Sequence, residues 1–286
     1  MESVTGAGAV VTGAGAVVTG AGAVVTGAGS GIGAALARRL AAEGARVVVN
    51  DIDAGAASAV AASCGATAVP GDAATEDGVA ALVGVARETL GEIDLFCANA
   101  GVARPGGEQA AEADWAASWD VNVMAHVRAA RLLLPDWLAR GRGHLICTVS
   151  AAGLLTMLGS APYSVTKHAA LAFAEWLAAT YAHRGITVQA LCPQGVRTPM
   201  LAASGPAAEL LLAGSAIEPE QVADAVLAGI ADGRFLILPH PEVAAMYAGR
   251  AAEPGRWLGG MNKLQRKLEA APGAAGADGE APAAPS

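Results

Sequence analysis

The stretch that most constrains this chain is Thr26-Gly27-Ala28-Gly29-Ser30-Gly31-Ile32-Gly33, lying between a short aliphatic run and a helical pattern. A strand that feeds straight into a helix must turn within a few residues. Glycine permits both that turn and a close approach of backbone to ligand. The helix start that follows offers unpaired N–H groups, which suit a pyrophosphate. The motif lacks the Gly-Lys-Ser/Thr ending of nucleotide triphosphatases, so ATP and GTP are not expected. The next aliphatic run, Val47-Val48-Val49, ends at Asn50-Asp51, and Asp51 lies 18 residues beyond Gly33. An acid at that spacing suits a ribose, and the pairing points to a dinucleotide.

The turn is the last of four copies of one phrase. VTGAGAV stands at 4–10, 11–17 and 18–24, and a fourth copy opens at Val25 before diverging. Two glycines in every seven residues rule out a coiled coil. Residues 1–18 are therefore expected to be a low-complexity duplication that adds nothing to the site. No charge occurs from Ser3 to Ala37, but the ten glycines there argue against both a membrane span and a signal peptide.

Beyond the turn, strand and helix patterns alternate. Ile32, Leu36 and Leu40 mark a helix ending at Gly44, and a second helix is expected near 54–62 before the strand Thr67-Ala68-Val69. Further helices are expected at 76–90, 112–139, 162–183 and 219–231, with strands at 93–97, 145–149, 187–191 and 235–238. The expected fold is α/β, a doubly wound parallel sheet of about seven strands with helices on both faces, as one domain over 19–240. Residues 241–269 read as a helical extension whose Arg256, Lys263, Arg266 and Lys267 form a solvated basic surface. Residues 270–286 read as a disordered tail, since Ala, Pro and Gly make up almost all of it.

Composition narrows the partners. With 53% hydrophobic residues the chain can offset its folding entropy, and a net charge of −8 without a Lys/Arg cluster argues against nucleic acid or a membrane surface. Cys64, Cys97, Cys147 and Cys192 form no CxxC pair and the histidines form no HExxH, so neither disulfide nor metal is expected, and a cytoplasmic setting is. His126, His144 and His168 receive no role, and Cys192 reads as a buried thiol. Trp115 and Trp119 read as a packing stripe. No GxSxG surrounds Ser150, which disfavours a hydrolase.

Tyr163 and Lys167 are four apart on a helix and project from one face. A tyrosine with a pKa of about 10 is a poor base at neutral pH. A lysine ammonium at ~4 Å and effective dielectric ~20 contributes about 4 kcal/mol towards tyrosinate, before desolvation opposes it. In chain order, Thr26 to Gly33, Ala98-Asn99-Ala100-Gly101, Asn122, Ser150, Tyr163-Ser164-Val165-Thr166-Lys167 and Pro193-Gln194-Gly195 with Thr198 resemble the short-chain dehydrogenase/reductase family over roughly 21–240. One departure is Ala98, where the family carries Asn.

The resemblance implies a Rossmann-like fold and NAD(P)-dependent interconversion of a secondary alcohol and a ketone. It implies a catalytic set of Asn122, Ser150, Tyr163 and Lys167, with Asn122 holding a water that links Lys167 to solvent. It also implies a cofactor held by Gly27, Ser30, Gly31, Ile32, Gly33, Asp51, Asp72, Ala73, Asn99, Ala100, Gly101, Tyr163, Lys167, Pro193, Val196 and Thr198. Asp51 favours NAD over NADP. The alternatives are an NADPH-dependent 3-oxoacyl reductase and a non-catalytic dinucleotide-sensing module, although the latter could dispense with Tyr163 and Lys167.

Leu154, Leu155, Met157 and Leu158, with Met200, Leu201, Leu210, Leu211 and Leu212, are expected to wall an apolar alcohol or ketone, the second group as a lid hinged at Gly205 and Gly214. Arg104 and Arg197 are the residues that could instead hold a carboxylate. The expected assembly is a homodimer through the helices at 112–139 and 162–183, or a homotetramer.

Overall fold

The computed structural model describes residues 18–204 and 212–270. The repeat copies at 4–10 and 11–17, the tail from 271, and Gly205, Leu210 and Leu211 lie outside the described residues. Seven parallel strands form one sheet: β1 Gly22–Val25, β2 Arg46–Val49, β3 Thr67–Ala68, β4 Leu95–Ala98, β5 Gly143–Thr148, β6 Ile186–Leu191 and β7 Leu236–Ile237. Their order is β3-β2-β1-β4-β5-β6-β7. The chain starts in the middle, winds outward to β3, then crosses back to β4, so the carboxyl ends of β1 and β4 flank the switch point where such sheets bind ligands.

The central strands β1 and β4 are buried along their whole length, on both faces, which is why their residues are continuously apolar. Val24, Phe96, Leu145 and Cys147 face one core layer, and Val25, Leu95, Cys97 and Ile146 face the other. The first layer packs against α3 Glu76–Leu90, α5 Ala125–Arg140 and α7 Ala161–Tyr181. The second packs against α1 Gly31–Ala42, α2 Ala54–Cys64 and α9 Pro219–Asp232. Two of these helices start where a side chain caps them: at α2, Asp53 accepts from Ala56 N–H at 3.0 Å, and at α3, Thr75 accepts from Gly78 N–H at 3.0 Å.

Four features depart from the sequence expectation. The helix expected at 112–139 is broken into α4 Glu112–Trp119, a π-helical turn Asp120–Met124 and α5. Two short helices, α6 Ala152–Leu155 and α8 Pro199–Ala202, occupy segments expected as loop. Val18, one residue before the expected start of the domain, is only 3% exposed and belongs to the core. The extension at 241–269 is two helices, α10 Glu242–Ala252 and α11 Pro254–Glu269, joined at Glu253, with Val243 wholly buried. Its four basic residues are exposed, as expected. Trp119 is 45% exposed, so the tryptophan pair is not a core stripe. No helix among the described residues is long and apolar enough to cross a membrane.

Candidate active site

A cleft of about 550 Å³ opens at the carboxyl ends of the strands. Every residue expected to bind cofactor lines it, as do Ser150, Tyr163 and Lys167; of the expected catalytic residues, Asn122 alone does not.

The cleft begins at the turn between β1 and α1. Gly31 has φ +51°, a left-handed value that side chains rarely adopt, and a Cβ there would meet Thr198 Cγ2 at 2.9 Å. At Gly33 a Cβ would lie 2.2 Å from the Gly27 carbonyl oxygen, so only glycine lets α1 start against the turn. Asp51, just past β2, accepts from Gly29 N–H at 2.8 Å and from Asp53 N–H at 3.0 Å. Its carboxylate is thereby held beside the turn. Asp72 accepts from Ala74 N–H at 2.8 Å and lines the same end.

Asn99 closes the turn from behind. Its Nδ2 donates to the Thr26 and Gly27 carbonyls at 2.9 and 3.2 Å, and its Oδ1 accepts from Thr148 at 3.1 Å. The side chain that the sequence offered to a ribose thus ties β1, β4 and β5 together.

Ser150, Tyr163 and Lys167 stand at the other end. Ser150 follows β5, and its Oγ accepts from Ala152 N–H at 3.0 Å, which orients the hydroxyl where α6 begins. The same Oγ donates to the Pro193 carbonyl at 3.4 Å, and Ser150 stands close enough to Tyr163 to act against the rise of its pKa. Lys167 donates to the Thr148 carbonyl at 2.8 Å, and its Nζ lies 5.6 Å from the centre of the Tyr163 ring. Burial lowers the Lys167 pKa to about 8. Burial raises that of Tyr163, with the neighbouring Ser150 hydroxyl opposing. The expected depression of Tyr163 by Lys167 is therefore absent from the protein alone, because desolvation dominates and the ammonium is turned towards Thr148.

Asn122 sits in the π-helical turn, wholly buried. Its Oδ1 accepts from Val102 N–H at 3.0 Å, and its Nδ2 donates to the Val102 carbonyl at 2.9 Å and to Thr166 Oγ1 at 3.0 Å. The water-holding role implied by resemblance is not open to the side-chain N–H groups, which are both used. What Asn122 does is fix the segment after Gly101 against the helix carrying Tyr163 and Lys167.

The apolar wall corrects two expectations. Leu154 is buried in the core, whereas Leu155, Met157, Leu158, Met200, Leu201 and Leu212 line the cleft. Arg104 pairs with Asp114 at 3.6 Å and Arg197 with Glu218 at 2.9 Å, and neither lines it. Cys192 is wholly buried beside the site, and burial pushes its thiol up to about 12, so it is a poor nucleophile. Met246, Trp257, Met261 and Leu264 of the C-terminal helices also line the cleft and were missed. The helical spacing of Trp257, Met261 and Leu264 was the available signal.

Residues 21–209 match the model of the short chain dehydrogenase family. The chain is similar to 1-deoxy-11-beta-hydroxypentalenate dehydrogenase of Streptomyces exfoliatus, 39% identical over 222 residues, covering 74% of this chain and 80% of the relative. Among solved structures it resembles a short chain dehydrogenase/reductase from Burkholderia phymatum in complex with NAD, with TM-score 0.75, 29% identity, and 82% and 94% of the two chains covered. It also resembles 3-ketoacyl-(acyl-carrier-protein) reductase from Brucella melitensis complexed with NADH, with TM-score 0.72, 28% identity, and 78% and 98% covered. Fold, turn and family match agree: the chain belongs to the short-chain dehydrogenase family of oxidoreductases.

Proposed function

We propose that the protein is an NAD-dependent oxidoreductase interconverting a secondary alcohol and a ketone, with Tyr163 as the proton-transfer group. The observation that carries this is the convergence of Ser150, Tyr163 and Lys167 on the wall of the cleft that starts at the glycine turn. The turn fits a dinucleotide, because Gly31 leaves only backbone where a side chain would fill the gap to Thr198. When bound, a nicotinamide dinucleotide supplies the hydride acceptor or donor.

The remaining chemistry belongs to the chain. Ser150 donates a hydrogen bond to the substrate oxygen, and Tyr163 takes the hydroxyl proton in oxidation or returns it in reduction. Lys167, held by the Thr148 carbonyl beside the Tyr163 ring, does not lower the Tyr163 pKa in the protein alone; its charge would act towards tyrosinate together with that of a bound oxidised nicotinamide ring. The leucines and methionines of the cleft exclude water from that proton transfer and leave an apolar alcohol as the fitting substrate.

The test is turnover of purified protein with NAD and a panel of secondary alcohols. Tyr163→Phe should reduce kcat by about a hundredfold or more while NAD affinity holds, since only the proton-transfer group is removed. Oxidation by the wild type should quicken as pH rises, because Tyr163 must ionise from a raised pKa. A Tyr163→Phe protein that keeps most of its activity would end the proposal. Reduction of a 3-oxoacyl thioester is the second reading, favoured by the similarity to the Brucella melitensis reductase; adding an acetoacetyl thioester to the panel separates the two.

The proposal extends to assembly. Val165 and Trp176, three turns apart on α7, and Trp119 at the end of α4 are 48, 56 and 45% exposed, which is apolar surface for a second copy of the chain. Trp176→Glu is expected to turn a dimer into a monomer in sedimentation velocity, and a monomeric wild type would refute the pairing.

A further inference from the structure

We infer that the two C-terminal helices are the specificity wall of this site, and that its substrate is a bulky, uncharged alcohol whose apolar body lies against Trp257. The inference rests on the alcohol–ketone reading above and adds what the substrate must be.

On α11, Trp257, Met261, Leu264 and Leu268 follow at intervals of four, three and four, which places them on one face of the helix. The first three line the cleft and Leu268 is buried, while the four basic residues of the helix point to solvent. Met246 of α10 joins them. These helices lie beyond residue 209, where the family match ends, so the wall is not part of the shared motif set.

The wall is fastened to the catalytic elements. Arg250 of α10 donates through Nη1 to the Leu154 carbonyl and to His168 Nε2, the latter at 3.1 Å. The His168 Nδ1–H in turn donates to the Ser164 carbonyl at 2.8 Å, which leaves Nε2 as the acceptor. One side chain thus ties the wall both to the segment after Ser150 and to α7, one residue past Lys167. Arg250 is a positioning residue for Trp257.

The chemistry of the occupant follows from the lining. The wall adds Trp257, Met261 and Leu264 to Leu155, Met157 and Leu158 of the segment after Ser150. A small alcohol at Tyr163 leaves most of this surface wet, whereas a large hydrocarbon body dries it. Charge has no partner here. Among the described residues the charged groups lining the cleft are Asp51, Asp72 and Lys167, the first two at the end beyond β2 and β3 and the third spent on Thr148. Arg104 and Arg197 are paired elsewhere. A substrate carboxylate would lose its hydration without replacement.

The experiment compares Trp257→Ala and Trp257→Phe with wild type, using decahydro-2-naphthol, propan-2-ol and, for calorimetric binding to the NAD-loaded protein, 2-decalone. For Trp257→Ala the ratio of kcat/KM for the bulky over the small alcohol should fall about tenfold, through KM rather than kcat, and 2-decalone should bind about tenfold more weakly. Trp257→Phe should recover most of both, and NAD affinity, unchanged throughout, reports an intact fold. Arg250→Ala should show the same ratio change in weaker form. A wild type that binds 2-decalone no better than Trp257→Ala overturns the wall, as does equal loss on both alcohols. Tighter binding of decahydro-2-naphthoate than of the neutral ketone overturns the uncharged substrate. Binding of 2-decalone that depends on Trp257, in a protein oxidising no alcohol, upholds the wall and overturns the alcohol–ketone reading instead.

Discussion

At Asp51 one carboxylate sets the charge of the turn. Two backbone N–H groups, from Gly29 and Asp53, fix it there, so it cannot swing away from an incoming ligand without losing both bonds. A 2′-phosphate at ~4 Å and effective dielectric ~20 meets about 4 kcal/mol of repulsion, roughly a thousandfold in affinity. Asp51→Ala is therefore expected to erode the proposed preference for NAD, measured as the ratio of kcat/KM with NAD over NADP, and a wild type faster with NADP would contradict it. Individual residues were legible in the sequence to different depths. Asp51, Ser150, Tyr163 and Lys167 were found because each follows a strand end or shares a helix face, and both are local facts. The employment of Asn99 and Asn122 was not, because their amides are used by Thr26, Gly27, Thr148, Val102 and Thr166, which only the fold brings near. Nor was the direction of Tyr163's shift, since burial is a property of the assembled site.

Elements were legible wherever periodicity ran long. The helices α1, α3, α7 and α9 and the central strands stand within a few residues of their expected places, because a two-sided core demands unbroken apolar runs. The π-helical turn left no such mark: adding one residue to a turn inside a helix disturbs the side-chain pattern too little to see, yet it buries Asn122. The segment after Ser150 was legible as apolar but not in its conformation. It ends α6 at Thr156 with φ 68° and ψ 136°, and Thr156 is the only non-glycine residue with positive φ among the described residues. A β-branched residue there stores ~1–3 kcal/mol of strain. The next residue, Met157, is clamped through its N–H and carbonyl by Ser164 Oγ, both at 2.9 Å, which helps to hold the backbone in that shape. Thr156→Gly relieves the strain at an entropic cost of about 1 kcal/mol. Its melting temperature is expected to hold or rise by up to ~4 °C, and calorimetry showing a clear fall would mean that the threonine is not strained.

For the molecule as a whole, the site's dryness has a consequence at low pH. His126 lies one turn beyond Asn122, 1% exposed, with neither ring nitrogen in a hydrogen bond. Burial lowers its pKa from 6.5 to about 3, and the positive charge of Lys167 pushes the same way. The Ala98 backbone approaches without completing a hydrogen bond and opposes only weakly. His144, on β5, is lowered to about 4 by burial, against its bond to Gln189. In both cases the unfolded chain binds protons at a pH where the folded protein does not. Stability is therefore full above pH 6.5 and is lost as pH falls through the window down to about 3, where His126 would have to become charged inside the core. His126→Leu removes the titrating ring and two unpartnered nitrogens at nearly constant volume. Acid unfolding followed by circular dichroism should then move its midpoint to lower pH, with the residual sensitivity belonging to His144 and the carboxylates. An unchanged midpoint would place the acid limit elsewhere. A gain in neutral-pH stability would show that the two unpartnered nitrogens cost the fold something even when the ring is uncharged.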